Sequence, residues 1–473
     1  MILWYNAKFY TMENENKYYN EIITKSGIIV AVGDECKDYD VSEKHDLKKS
    51  HVYPGFTDSH MHLLGFGRKL SRHNLNNIKD KEHILKTIKN LYVEEMPLII
   101  EGYFDVGITN KDLDEITTSD YIILRHNDYH SFTINSKLSK ILFGKESNGI
   151  INNDFDAKKV VPYFENNNKK QLTTFGIKAI KELYKNGITS IHTDDLSYFN
   201  SYSETNDILY NLTSKYPIRI NTLINYDIFD EYIKSYNENK YLNPIQVKLF
   251  YDGTISSKTA YLNENYLNEN HNGFSVINKN ELIDIIKTVR KYDKGVAVHV
   301  IGDKALDEVL AVINSFKKAS ELDRIVHASL ASYNSLNNFN ETVIDIQPLF
   351  IKSDIDIINK YINQKNVLIY PFKEYLNNNI ILNGSSDAPV ESINPLTSLV
   401  EIMKKDISNF EAIKTYTVNP YLTIKQKGGL IKKGYLADFT AFNKNILKVS
   451  NDEMLNTNIC FTIIDEKIVY KNI

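Results

Sequence analysis

The chain has 473 residues, 42% hydrophobic and 25% charged, with a formal net charge of −4. That balance suits a globular protein and gives no basic footprint for nucleic acid. No run of about 18 apolar residues marks a membrane span, the first twenty residues lack the apolar core of a secretory leader, and two cysteines are too few for a disulfide framework, so a cytoplasmic home is expected.

Residues 1 to about 50 are β-rich and broken by turns at Ser26-Gly27 and Val32-Gly33-Asp34. The C-terminal end is similar, with LADFTAF and ICFTIIDEKIVYKNI. Two β-rich ends around a long middle predict a small composite β domain from both termini, drawn at 1–52 and 430–473. The middle, 53–429, alternates strand and helix patterns, as a parallel sheet or barrel does. Residues 281–295 carry apolar positions at helical spacing, with Gly295 placed to end the helix. A strand (GVAVHVIGD), a helix (KALDEVLAVINSFKKA) and a strand (RIVHASL) follow. VLIYPF, IILNGSSD and the helical LTSLVEIMKK come later. The stretch from about 65 to 170 is less regular and reads as an insertion.

The first chemical signal is HVYPGFTDSHMHLL, His51–Leu64. On a strand, His60 and His62 point the same way, as two imidazoles holding a divalent metal must. Four later stretches add to it. Lys248 lies inside the apolar strand QVKLFYD, where an ammonium is costly and a lysine is often chemically used, although a strand-end lysine that reaches water fits too. His299 and His327 end two successive strands. Asp387 follows a strand and a Gly-Ser-Ser turn, where an aspartate can equally be a cap. In a (β/α)₈ barrel the functional residues come from the C-terminal ends of several strands, and each of these candidates sits at such an end.

PGFTDSHMH, VKLFYDGTISSKTAYL, VAVHVIGDKALDEVL, RIVHASL and NGSSDAPVESINPL together resemble the blocks of the amidohydrolase superfamily, specifically its amidohydrolase-3 group. AIKTYTVNPYLT and GGLIKKGYLADFTAFN are similar to that group's return to the small sheet. The resemblance implies an α/β fold: a (β/α)₈ TIM-like barrel with a small composite β-sandwich domain. It implies one or two divalent ions, zinc first among the candidates. His60, His62 and Asp387 would take one, and His299 and His327 the second. Lys248 would bridge the pair as its carboxylated form if the site is binuclear. Asp387 would also move protons. Val326 departs from the pattern, which places an acidic residue before this histidine.

The implied activity is hydrolysis of a C–N bond in an amide, formamide or cyclic amide of a small-molecule substrate. Bound metal lowers the pKa of water from 15.7 to about 7, and Asp387 serves as general acid and base. Substrate contacts are expected from His130 in YIILRHNDYHSFTINS, which resembles a pocket-lining block, from Phe104 of GYFDVG as an apolar wall, and from His192 at another strand end. Arg125 and Arg324 read either as carboxylate anchors or as paired strand charges. A deaminase of a nucleobase-like ring and a metal-free ligand-binding protein stay open. A metallo-β-lactamase site does not, because LLGF follows His62 where that fold needs further ligands. A homo-oligomer leaves no mark in the sequence.

Overall fold

The computed structural model describes residues 1–75, 78–126, 131–144, 147–152, 154–165 and 168–472. They form two compact units. One comprises Met1–Leu63, Ile180–Tyr198 and Thr205–Ile473, the other Leu64–Ala179 and Phe199–Glu204.

The first unit holds an eight-stranded parallel sheet in sequential order, curled into a nearly closed barrel. We number its strands β1 (Phe56–Met61), β2 (Ile188–Thr193), β3 (Arg219–Asn225), β4 (Leu242–Phe250), β5 (Val296–Val300), β6 (Arg324–His327), β7 (Val343–Ile346) and β8 (Leu382–Gly384). Buried on both faces, such strands read as near-continuous apolar runs; all five residues of β5, VAVHV, are buried. The helix Asp303–Ile313 then covers the sheet with Ala305, Leu306, Val309, Leu310, Val312 and Ile313.

Between β8 and β1 the barrel is joined by irregular bonds. The Ser59 hydroxyl donates to the Gly384 carbonyl at 2.9 Å. The Asp387 N–H donates to the His60 carbonyl at 2.8 Å, and the His62 N–H to the Ala388 carbonyl at 2.7 Å. These bonds lay the segment after β8 along the end of β1.

Polar side chains fill part of the barrel interior. Arg324 on β6 is fully buried, ion-paired with Asp345 on β7 at 3.0 Å. It also reaches across to Gln246 (2.7 Å), to His192 Nδ1 (3.0 Å) and to the Ser59 carbonyl (3.3 Å). Partners on β1, β2 and β4, none adjacent to β6, require the guanidinium to cross the interior. Arg324 is thus a paired interior charge, one of its two expected roles.

The same unit carries an eight-stranded sheet from both termini, as expected. Its longest strands, Ile2–Tyr10 and Glu43–Pro54, run parallel, and Phe439–Phe442 and Ile459–Ile464 extend the sheet from the C-terminal side. Trp4, Phe9, Leu47, Val52, Phe439 and Phe461 form its apolar core. A buried ion pair between Asp438 and Arg219 on β3 ties this sheet to the barrel.

Two local expectations are corrected. The helix over 279–290 ends at Arg290 with Lys291 as its C-cap, so Gly295 does not cap it. Gly295 is instead a close-approach position, where a Cβ would meet the Gln246 side chain at 2.9 Å. VLIYPF supplies no barrel strand: Leu368–Ile369 pairs antiparallel with Leu330–Ala331 in a separate two-stranded ladder, and the seventh barrel strand is Val343–Ile346.

The second unit has its own five-stranded mixed sheet, running from Ile150–Ile151 through Phe132–Ile134, Ile122–His126 and Leu98–Tyr103 to His73–Asn74. Ile84, Ile88, Ile100, Tyr103 and Leu113 belong to its core. Among the described residues no helix is long and apolar enough to cross a membrane.

Candidate metal centre

His60 and His62 lie at the C-terminal end of β1, and Asp387 lies three residues past β8. The carboxylate Oδ1 of Asp387 is 3.5 Å from His60 Nε2 and 3.4 Å from His62 Nε2. One ligand atom from each of the three lies within 4.8 Å of the other two. Asp58 sets this approach. Its buried carboxylate accepts the Ser386 hydroxyl (2.5 Å) and the Ser386 N–H (3.0 Å), which fixes the turn that carries Asp387. Asp387 itself takes a left-handed backbone, φ 54°.

His327 ends β6 and His299 is the fourth residue of β5. Their rings meet edge to face with centroids 4.5 Å apart, and His327 lies 5.9 Å from His60. His327 has φ 82°, a conformation that a non-glycine residue holds only where its surroundings enforce it. His299 Nε2 is 3.3 Å from the Gly253 carbonyl oxygen.

Two of the rings have their orientation fixed by hydrogen bonds. Gln347 donates its amide N–H to Ser385 and to the Asp345 carbonyl, so its oxygen is left to accept from His327 Nδ1, at 2.7 Å. His62 Nδ1 lies 3.1 Å from the Asp194 carbonyl oxygen. In both rings this places a proton on Nδ1; in neutral His327 the Nε2 lone pair is left for a ligand, while Nε2 of His62 faces Asp387 and would give up its proton to a metal. Burial pushes His60 and His299 well below the ordinary histidine range and His327 down to about 4. Three neutral imidazoles result at neutral pH, the form that binds metal. Burial also lowers His62, but the Asp387 carboxylate outweighs it and holds His62 up at about 9. For Asp387, burial raises the carboxyl, and the His62 hydrogen bond and nearby positive charges bring it below the ordinary value. Imidazoles and a carboxylate converging in a buried site fit a divalent ion of the zinc type.

Lys248 on β4 is 1% exposed. Its Nζ lies 3.3 Å from Oδ2 of Asp194, itself fully buried, and 4.2 Å from the centre of the Phe250 ring. Asp194 follows β2 directly. The same Oδ2 accepts the Tyr198 hydroxyl at 3.2 Å, and the Tyr198 and His62 rings stand perpendicular, with centroids 5.2 Å apart.

Two of the other expected contacts lie among the described residues. His192 is buried and bonded to Arg324 in the barrel interior. Phe104 lies in the second unit, 36% exposed, with Lys79 Nζ 4.8 Å from its ring centre. His130 lies outside the described residues. Sequence reasoning passed over Asp194, Tyr198 and Gln347. The Asp194-Asp195 doublet at a strand end was the one available signal, and Gln347 had none because β7 was not recognised.

A parallel barrel with imidazoles and a carboxylate gathered on its rim makes the class a barrel protein with a candidate metal centre. The chain belongs to the amidohydrolase family, whose model matches residues 43–470. It is 26% identical to the YtcJ protein of Bacillus subtilis (strain 168), over 99% of both chains. It is 20% identical to the N-substituted formamide deformylase of Arthrobacter pascens, over 42% of this chain and 41% of that one. Its fold matches an uncharacterized metal-dependent hydrolase of Pyrococcus furiosus with a TM-score of 0.78 at 24% identity, covering 94% of this chain and 100% of that one.

Proposed function

We propose that this protein hydrolyses carbon–nitrogen bonds other than peptide bonds in small molecules, with amides, formamides and cyclic amides as the substrate classes. The observation that carries this is the convergence of His60, His62 and Asp387 within 4.8 Å at the rim of the barrel. The likeness to an N-substituted formamide deformylase supports the choice of bond.

His60, His62 and Asp387 would hold one divalent ion, zinc being the first to test. His299 and His327 would hold a second, and Lys248, as its CO₂ adduct, would serve as a further ligand. Such an ion supplies Lewis acidity toward a carbonyl oxygen and lowers the pKa of water. The residues of the chain do the rest. Asp387 takes the proton of the attacking water and delivers it to the departing nitrogen, leaving a carboxylic acid and an amine. Gln347 and the Asp194 carbonyl keep the His327 and His62 rings turned with Nε2 toward the site.

The test joins metal content by elemental analysis with a turnover screen of amides, formamides and cyclic amides. One or two equivalents of divalent metal and turnover of at least one class are expected. Protein that takes up no metal after incubation with zinc and bicarbonate sinks the proposal. Metal-loaded protein that releases ammonia from a nucleobase-like ring but cleaves no amide replaces it with a deaminase.

A further inference from the structure

Tyr198 faces outward at this site, more exposed than His62 or Asp387 beside it. It sits five residues past β2, 47% exposed, while the Asp194 carboxylate that accepts its hydroxyl is fully buried. Its ring meets that of His62 edge to face, so the phenol stands beside the His60–His62–Asp387 cluster on the accessible side.

Neither of two simpler roles accounts for it. A tyrosine kept for packing buries its ring, as Tyr53, Tyr375 and Tyr416 do here. A tyrosine kept to satisfy Asp194 Oδ2 duplicates Lys248, which already lies 3.3 Å from the same oxygen. Because Lys248 Nζ carries an N–H for that oxygen, as the amine or as its CO₂ adduct, Tyr198 can turn its O–H to another acceptor without leaving that buried oxygen bare. A neutral O–H donor at the open edge of a metal-ligating cluster suits an oxygen that gains negative charge during reaction.

We propose that Tyr198 is a catalytic residue that donates its phenolic O–H to the substrate's carbonyl oxygen as that oxygen becomes an oxyanion. The identity of the carbonyl rests on the C–N hydrolase reading above; recognition of a tetrahedral oxyanion at this position does not.

The experiment compares wild type with Tyr198→Phe, which keeps the ring against His62 and removes only the hydroxyl. Both proteins are loaded with zinc, their metal content is measured, and methylphosphonate, a tetrahedral oxyanion, is titrated into each by calorimetry. Equal metal content with at least a tenfold loss of methylphosphonate affinity in the variant is expected. On any amide or formamide that wild type cleaves, the variant should lose about 10²–10³-fold in kcat with KM little changed. Equal methylphosphonate binding by the two proteins, or none by wild type, overturns the proposal. Loss of metal from the variant overturns it as well, because Tyr198 then acts through Asp194 and His62. Tyr198-dependent binding without cleavage of any amide removes the C–N hydrolase reading and leaves this one standing.

Discussion

Lys248 Nζ and Asp194 Oδ2 face each other at 3.3 Å with side chains 1% and 0% exposed. Removing one partner of a buried pair leaves the other in a medium that cannot solvate it, which costs about 3–5 kcal/mol, whereas replacing both with apolar side chains is often near neutral. Asp194→Ala is expected to destabilise the metal-free protein by about that amount in urea unfolding, and the double variant Asp194→Leu/Lys248→Met by distinctly less. A single-variant loss under about 1 kcal/mol would show the pair to behave like an exposed one.

Gln347 fixes His327 through a 2.7 Å bond to Nδ1 and is itself held by Ser385 and the Asp345 carbonyl. Gln347→Leu keeps the volume and removes the acceptor. Metal affinity, read by competition with a chromogenic chelator, should fall about 10–100-fold. Unchanged affinity would mean that the packing around His327 orients the ring without Gln347.

Asp387 is assigned both a ligand and a proton-transfer role. Asp387→Asn retains an oxygen donor and loses the proton acceptor. At saturating metal, turnover of the best amide or formamide is expected to fall by about 10²–10⁴-fold. Wild-type turnover would remove the acid–base role.

Asp465, in the C-terminal hairpin, accepts bonds from Lys240 and Tyr241, which lie just before β4 and at its margin. Burial pushes its carboxyl up, but these two hydrogen bonds and the Lys240 charge outweigh burial and hold it below the ordinary 3.8. The folded state therefore binds fewer protons here than the unfolded chain. The stabilisation is present above 3.8 and is lost as pH falls through the lower folded value. Between about pH 5 and pH 3 the melting temperature of wild type should drop more steeply than that of Asp465→Asn. Parallel curves would show that Asp465 contributes nothing to the acid limb.

Much of the architecture was legible because its determinants are local. Apolar runs buried on both faces announce parallel strands, and β-rich ends around an alternating middle announce a sheet built from both termini. His60 and His62 share a direction because a strand repeats every two residues. Val343–Ile346 was not legible: VIDI is four residues long and carries Asp345, whose charge is acceptable inside a barrel because Arg324 on the neighbouring strand pairs with it and Asn383 donates to it. Gly295 misled because glycine signals both a helix end and a close backbone approach, and only the neighbouring Gln246 distinguishes the two.

The sequence by itself determined the fold class, the family and which imidazoles, amine and carboxylate stand at strand ends, since these depend on periodicity and residue type along short stretches. Only the tertiary structure decided how those groups meet. Asp387 reaches His60 because β8 returns beside β1 and Asp58 holds the Ser386 turn, although more than 300 residues separate them. The Nδ1 partners of His62 and His327 come from the chain after β2 and after β7. Ring orientation, amide direction and the placing of Tyr198 against His62 depend on hydrogen bonds between strands far apart in sequence, and these exist only once the barrel has closed.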